Sequence, residues 1–266
     1  MSDRATLQWL GTAGFRLRHA GRALLVDPFL SRPAGLPRVP LGPADLAEVT
    51  VVLCTHGHFD HAMDLGEVLR ASPAELWAPR VVCERLAREG ISPRRLHANE
   101  DTRTAERPGA AFAVLPADHI RHDAAIAVRT LAAVLRGGAL RELLGLALLH
   151  PMGSNSDFLL TWAGRTLYLA GSLGPRDEPA RDRQPDLALL PYNGRMDMAG
   201  PLLRACRLLR PRRLLLHHHD VFWPHFAPAQ DPAAALGLLG RELPGLPVSI
   251  ARRGEVVALD DLCPAG

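Results

Sequence analysis

At 266 residues, with 47% hydrophobic and 22% charged side chains, the chain has the composition of an ordinary globular protein and none of the marks of a disordered one. The formal net charge is +3, but no lysine occurs and the arginines are scattered among acidic residues, so the footprint of a nucleic-acid surface is missing. Cys54, Cys83, Cys206 and Cys263 form no C-x-x-C pair, which argues against a disulfide scaffold or a cysteine zinc site. The opening MSDRATLQWLG shows no secretory pattern and no apolar run approaches the ~18 residues of a membrane span, so a cytoplasmic protein is expected.

The first fifty residues read as short strands at 6–10, 15–18 and 23–26, separated by Gly11, Gly14 and Gly21 and followed by a proline-rich loop over 28–43. Residues 49–54 form a continuous apolar run, the pattern of a buried strand, and lead directly into THGHFDH. Helices are expected at 63–70 and 81–88, and a further buried strand at 110–115 ends in the loop PADHIRHD. Segments 158–161 and 166–170, joined by Ala163-Gly164-Arg165, read as a hairpin. A strand at 187–190, a helix at 198–209 and a strand at 213–216 running into HHHD follow, then a helix near 232–240 and a last strand near 256–259. No internal repeat is visible, and mixed strands and helices without a linker predict a single α/β domain over 1–266. One stretch, about 124–152, differs from the rest. It has two apolar helical patterns split by Gly137-Gly138, interrupted by Arg129, Arg136, Arg141 and Glu142, and so is unsuited to crossing a bilayer.

The chemistry concentrates in His56-Gly57-His58-Phe59-Asp60-His61. Imidazole and carboxylate suit zinc and similar divalent ions. Four such groups in six residues cannot all enter an apolar core without a large penalty, whereas a loop turned at Gly57 can aim them at one point.

This H-x-H-x-D-H after a strand resembles the signature of the metallo-β-lactamase superfamily. LGTAGFRLRHAGRALLVDPFLS is similar to the opening of its ascorbate-6-phosphate lactonase-like branch, with a glycine-rich hairpin, an apolar strand and a D-P-F turn. LPADHIRH resembles the third motif, SDFLLTWAGRTLYLAGSLG the hairpin leading to the fourth, LALLPYNG the segment after it, and LLLHHHDVFWP the fifth. The resemblance implies an αββα sandwich of two mixed sheets flanked by helices. It implies that His56, His58 and His119 hold one metal ion, and that Asp60, His61 and His218 hold a second. His217 is the alternative to His218, since adjacent strand residues face opposite ways. Asp60 and His218 are the implied catalytic residues. Zn2+, one ion or two, is the expected cofactor, with Mn2+ or Fe2+ also compatible.

The chain departs from the family at Gly171-Ser172-Leu173-Gly174, where the fourth motif usually reads G-D-T-G with the Asp bridging two metals. Ser172 is a neutral, poor ligand. This leaves three readings: a one-metal enzyme, a two-metal site bridged by another group such as Asp118, Asp157 or Asp220, or a degenerate site. The leading functional expectation is hydrolysis of a small, apolar ester, lactone or thioester by metal-bound hydroxide. The alternatives are a phosphodiesterase similar to the N-acylphosphatidylethanolamine phospholipase D relatives, and a metal-binding protein that has lost catalysis through Ser172. A small-molecule substrate is the expected partner. The 124–152 helices are expected to cover the pocket, or else to pack on the core away from the site or form a homo-oligomer contact, with Leu131, Val134, Leu135, Leu143 and Leu146 at the pocket wall or interface. His19, His97 and His150 read as surface or hydrogen-bonding residues, His122 and His225 as candidates for the pocket rim, and Cys54 as a small core hydrophobe.

Overall fold

In the computed structural model, which describes residues 4–137, 140–223 and 229–263, the strands form two sheets of seven. The first takes β1 (Thr6–Gly11), β2 (Gly14–His19), β3 (Arg22–Val26), β4 (Val49–Leu53), β5 (Glu75–Ala78) and β6 (Leu96–Ala98) side by side. The second takes β7 (Thr104–Arg107), β8 (Ala110–Ala117), β9 (Asn155–Trp162), β10 (Arg165–Leu169), β11 (Leu187–Pro191), β12 (Leu214–His217) and β13 (Val248–Ile250). The last strand, β14 (Val256–Ala258), returns to the first sheet beside β1.

Both sheets follow one plan. Along β14-β1-β2-β3 and along β7-β8-β9-β10 each neighbour is antiparallel; the three remaining pairings in each sheet are parallel. The sequence shows no repeat, yet the topology repeats, because a pairing pattern demands only apolar strands of matching order and not matching residues.

The central strands are apolar on both faces because both faces are covered. Leu24 and Val26 of β3 and Val51 and Leu53 of β4 face the space between the sheets, against Phe112, Phe158, Leu167 and Leu189. Ala23, Leu25 and Val52 face outward onto helices α1 (Pro43–Ala47), α3 (Leu65–Ala71) and α4 (Arg80–Arg88), with the short α2 (Phe59–Ala62) preceding α3. Each fully buried side chain of this size contributes roughly 1.5–3 kcal/mol.

In the same way α7 (Asp177–Ala180), α8 (Ala199–Leu209) and α9 (Ala233–Glu242) cover the second sheet, while α10 (Leu259–Leu262) follows β14. The helical stretch expected at 124–152 forms α5 (Ala124–Gly137) and α6 (Leu140–Leu149). Among the described residues no helix is long and apolar enough to cross a membrane. Four strands escaped the sequence reading: β5, β6, β7 and β13. Each has three or four residues, too few to show a period.

Candidate metal centre

Every histidine-bearing loop of the motifs leaves the C-terminal end of a strand. β4 delivers the HGHFDH turn, β8 delivers His119, β10 delivers Ser172 and β12 delivers His217 and His218. Two clusters result. His56, His58 and His119 bring one ligand atom each within 4.8 Å of one another, and so do Asp60, His61 and His218. In the first cluster His56 Nε2 and His58 Nδ1 are 3.1 Å apart. In the second, His61 Nε2 and His218 Nε2 each lie 3.5 Å from Asp60 Oδ2.

Gly57 makes the turn possible. Its N–H donates to Met152 O at 2.7 Å, and a Cβ there would fall 2.1 Å from Pro151 O, so the segment after α6 closes directly onto the histidine loop.

Beneath both clusters lies Asp27, fully buried at the end of β3. Its Oδ1 accepts from Thr55 N at 2.8 Å, and its Oδ2 accepts from Thr55 Oγ1 at 2.7 Å and from His61 Nδ1 at 2.8 Å. Thr55 Oγ1, its proton committed to Asp27, is 3.0 Å from His56 Nδ1 and accepts from it. One carboxylate thus fixes the tautomer of a histidine in each cluster, leaving Nε2 of His56 and His61 with a lone pair. His119 Nδ1 similarly donates to Ile120 O at 2.9 Å. Gly171 is required beside this arrangement, since a Cβ would sit 1.9 Å from Thr55 Oγ1. The sequence marked Asp27 only as part of the D-P-F turn; an acid closing an apolar strand was the signal available.

The donor set fits a divalent ion. Burial, reinforced by the neighbouring imidazoles, pushes His56 well below the usual histidine range, lowers His58, and brings His119 down to about 4. All three are therefore neutral at pH 7, the form that ligates. For Asp60 burial alone would favour the acid, but His61 and His218 outweigh it and hold the carboxyl well below the usual carboxylate range. Burial of His61 is likewise outweighed by Asp27 and Asp60, which raise that imidazole. His218 Nδ1 is buried without a hydrogen-bond partner, and the residue adopts φ +59°, a left-handed conformation that costs a non-glycine residue on the order of 1 kcal/mol.

The neighbouring candidates go elsewhere. His217 turns away from the clusters, its ring edge-on to Phe15 and its Nδ1 3.3 Å from Thr12 O. Asp118 is exposed and paired with Arg176 at 2.8 Å. Asp220 is buried against Arg32 (2.9 Å), Arg253 and the Thr12 N–H, tying three other loops to its own. Asp157 bonds the Tyr168 hydroxyl, and burial pushes its carboxyl up to about 8, so it is an uncharged core group at pH 7. None of these three acids lines the cavity over the clusters, which corrects their role as substitutes for the usual bridging Asp. Ser172 does line it, and its Oγ accepts from Ile120 N at 2.9 Å.

The cavity measures about 430 Å³, with the six cluster residues on its floor and α5 and α6 above. Leu131, Val134 and Leu143 line it. Leu135 does not: it is 61% exposed on the far side of α5. Leu146 is also displaced from the wall, packing with Phe29, Phe59, Met63 and Trp223 in an aromatic cluster that props the helices. His150, read as a surface or hydrogen-bonding histidine, lines the cavity with its Nδ1 buried and unpartnered, and His122 lines it too. Nothing in the sequence around His150 signalled this. His97 pairs with Glu75 at 2.6 Å, and Cys54 is a buried, free thiol raised far above its usual pKa by burial. Both Gly138 and His225 lie outside the described residues.

Two mixed sheets flanked by helices, with His/Asp clusters where the strands end, define a metallo-hydrolase of the metallo-β-lactamase type. Comparison with known proteins agrees. The family model described as "Beta-lactamase superfamily domain" matches residues 22–219, and the chain belongs to that superfamily. It is 29% identical over 231 residues to a UPF0173 metal-dependent hydrolase of Aeropyrum pernix, covering 82% of this chain and 84% of that protein. It is 27% identical over 240 residues to another from Thermococcus kodakarensis, covering 88% and 92%. The solved structure of Igni18, a metallo hydrolase from Ignicoccus hospitalis, shares the fold with a TM-score of 0.65, at 21% identity and covering 95% of this chain and 97% of that one. The protein is a metal-dependent hydrolase.

Proposed function

We propose that this hydrolase cleaves a small ester, lactone or thioester whose non-reacting part is apolar. The observation that carries the reading is the cavity: a floor of imidazoles and one carboxylate beneath a roof of Ile126, Leu131, Val134 and Leu143. Such a roof accommodates an acyl or alkyl group and keeps water from the reacting centre.

In this reading His56, His58 and His119 hold the tighter ion, and Asp60, His61 and His218 hold a second one weakly, because Ser172 supplies no charge where the family's carboxylate stands. Zn2+ suits three neutral imidazoles best, and Mn2+ or Fe2+ is compatible with the cluster containing Asp60. An ion at the first cluster would lower the pKa of water from about 15.7 toward about 7 and polarise the substrate carbonyl. Asp60, ionised and facing the cavity, orients the attacking water. His218, whose Nε2 is 3.5 Å from Asp60 Oδ2, helps to hold that carboxylate in place. Asn193, whose Nδ2 donates to His218 O at 3.2 Å, holds the strained His218 backbone in place.

The test is metal analysis of the purified protein together with hydrolysis of p-nitrophenyl esters and thioesters of increasing acyl length. The expected result is one tightly held ion per chain and kcat/KM that rises with acyl length until the cavity is full. Preferential cleavage of bis(p-nitrophenyl) phosphate, or indifference to acyl length, would overturn the reading.

A further inference from the structure

The roof of the cavity is apolar on both of its sides. Facing inward, Val134 and Leu143 meet the cavity and the aromatic cluster below. Facing outward, Val128, Leu131 and Leu135 of α5 recur at helical spacing, as do Leu140, Leu144 and Leu148 of α6. These six are between 45% and 83% exposed. Among the described residues, most of the large apolar side chains left in solvent thus gather on one hairpin, a concentration that marks an interaction surface rather than chance.

Charge selects the occupant. Arg129, Arg136 and Arg141 are exposed on the same two helices, against one acid, Glu142. Arg129 reaches Met196 Sδ and Arg136 reaches Ala132 O, so neither is engaged with a carboxylate there. A second copy of this face would set arginine against arginine. An anionic lipid surface would accept the leucines among its acyl chains and the arginines among its headgroups. The cavity also communicates with this face. Leu131 and Leu140 line the cavity and are at the same time 55% and 45% exposed, one on each helix.

We propose that α5 and α6 dock the protein on an anionic membrane surface, and that an amphiphile with an acyl chain passes from the lipid into the cavity between Leu131 and Leu140. The choice of substrate rests on the hydrolase reading above; the docking itself does not.

The experiment is co-sedimentation of the full, metal-loaded chain with vesicles. One set contains phosphatidylglycerol and phosphatidylcholine, and the other phosphatidylcholine alone. Binding is expected on the anionic vesicles, weakening as salt is raised. The triple variant Leu135→Ser, Leu144→Ser, Leu148→Ser should bind at least about tenfold less. Its far-UV circular dichroism and its kcat/KM on a water-soluble short-chain ester should match the parent. Replacing Arg129→Gln, Arg136→Gln and Arg141→Gln should remove the preference for anionic lipid. Parent protein left in the supernatant with both vesicle types would overturn docking. So would a leucine variant that converts a dimer to a monomer in analytical ultracentrifugation while vesicle binding is unchanged, since the face would then belong to a second copy. Vesicle binding with no hydrolysis of any ester would leave docking standing and defeat the substrate reading instead.

Discussion

The two clusters on the cavity floor sit side by side but are built differently. His56, His58 and His119 form an uncharged set, each imidazole kept neutral chiefly by burial, with help from neighbouring imidazoles. Asp60, His61 and His218 contain a carboxylate, and their neighbour Asp27 carries another. Ser172, which lines the cavity beside both sets, has its Oγ occupied with the Ile120 N–H. The first cluster therefore offers only neutral donors, backed by Asp27 through Thr55, whereas the second contains a carboxylate of its own in a buried site, where charge is strongly felt. On the reading proposed above, ligands of the same kind, a few ångströms apart, would differ in affinity because of what stands behind them.

The sharpest way to break this contrast is to remove one imidazole from each side. His119→Ala should lower kcat/KM on the order of 10³-fold, the loss of several kcal/mol of transition-state stabilisation, together with the tightly held ion. His218→Ala should leave that ion in place and cost clearly less. Mass spectrometric metal counting alongside kinetics separates the two, and equal loss of the tight ion in both variants would show that the clusters act as one unit.

Asp27 tests what the clusters share. Asp27→Asn retains the shape but cannot accept from Thr55 Oγ1 and His61 Nδ1 as a carboxylate does, so metal affinity or activity should fall about 10–100-fold. Isothermal titration with the ion should register the loss at both clusters. An effect confined to the second would mean that the Thr55 relay to His56 is immaterial.

The smallest effect is a gain. Ser172→Asp places a charge between the clusters and should tighten the second ion by about tenfold, moving stoichiometry from near one toward two at low free metal. Parent protein that already retains two ions through dialysis against a mild chelator would contradict the weak-site reading.

The sequence by itself determined the local part of this site. H-x-H-x-D-H after an apolar run placed four candidate ligands on one turn, because a strand must end where the apolar pattern stops and a glycine lets the chain reverse. The helices over 124–149 were legible for the same reason: apolar spacing survives without knowledge of neighbours. Tertiary structure decided everything that depends on which side of a strand meets which other strand. It turned His218 rather than His217 toward Asp60, through a positive φ no local pattern announces. It sent Asp118, Asp157 and Asp220 to arginines, a tyrosine and solvent, and set Asp27, 29 residues before His56 in sequence, beneath both clusters. Side-chain direction and long-range pairing are set by packing of the whole sandwich, and a sequence records residue types in order, not the partners that burial will force on them.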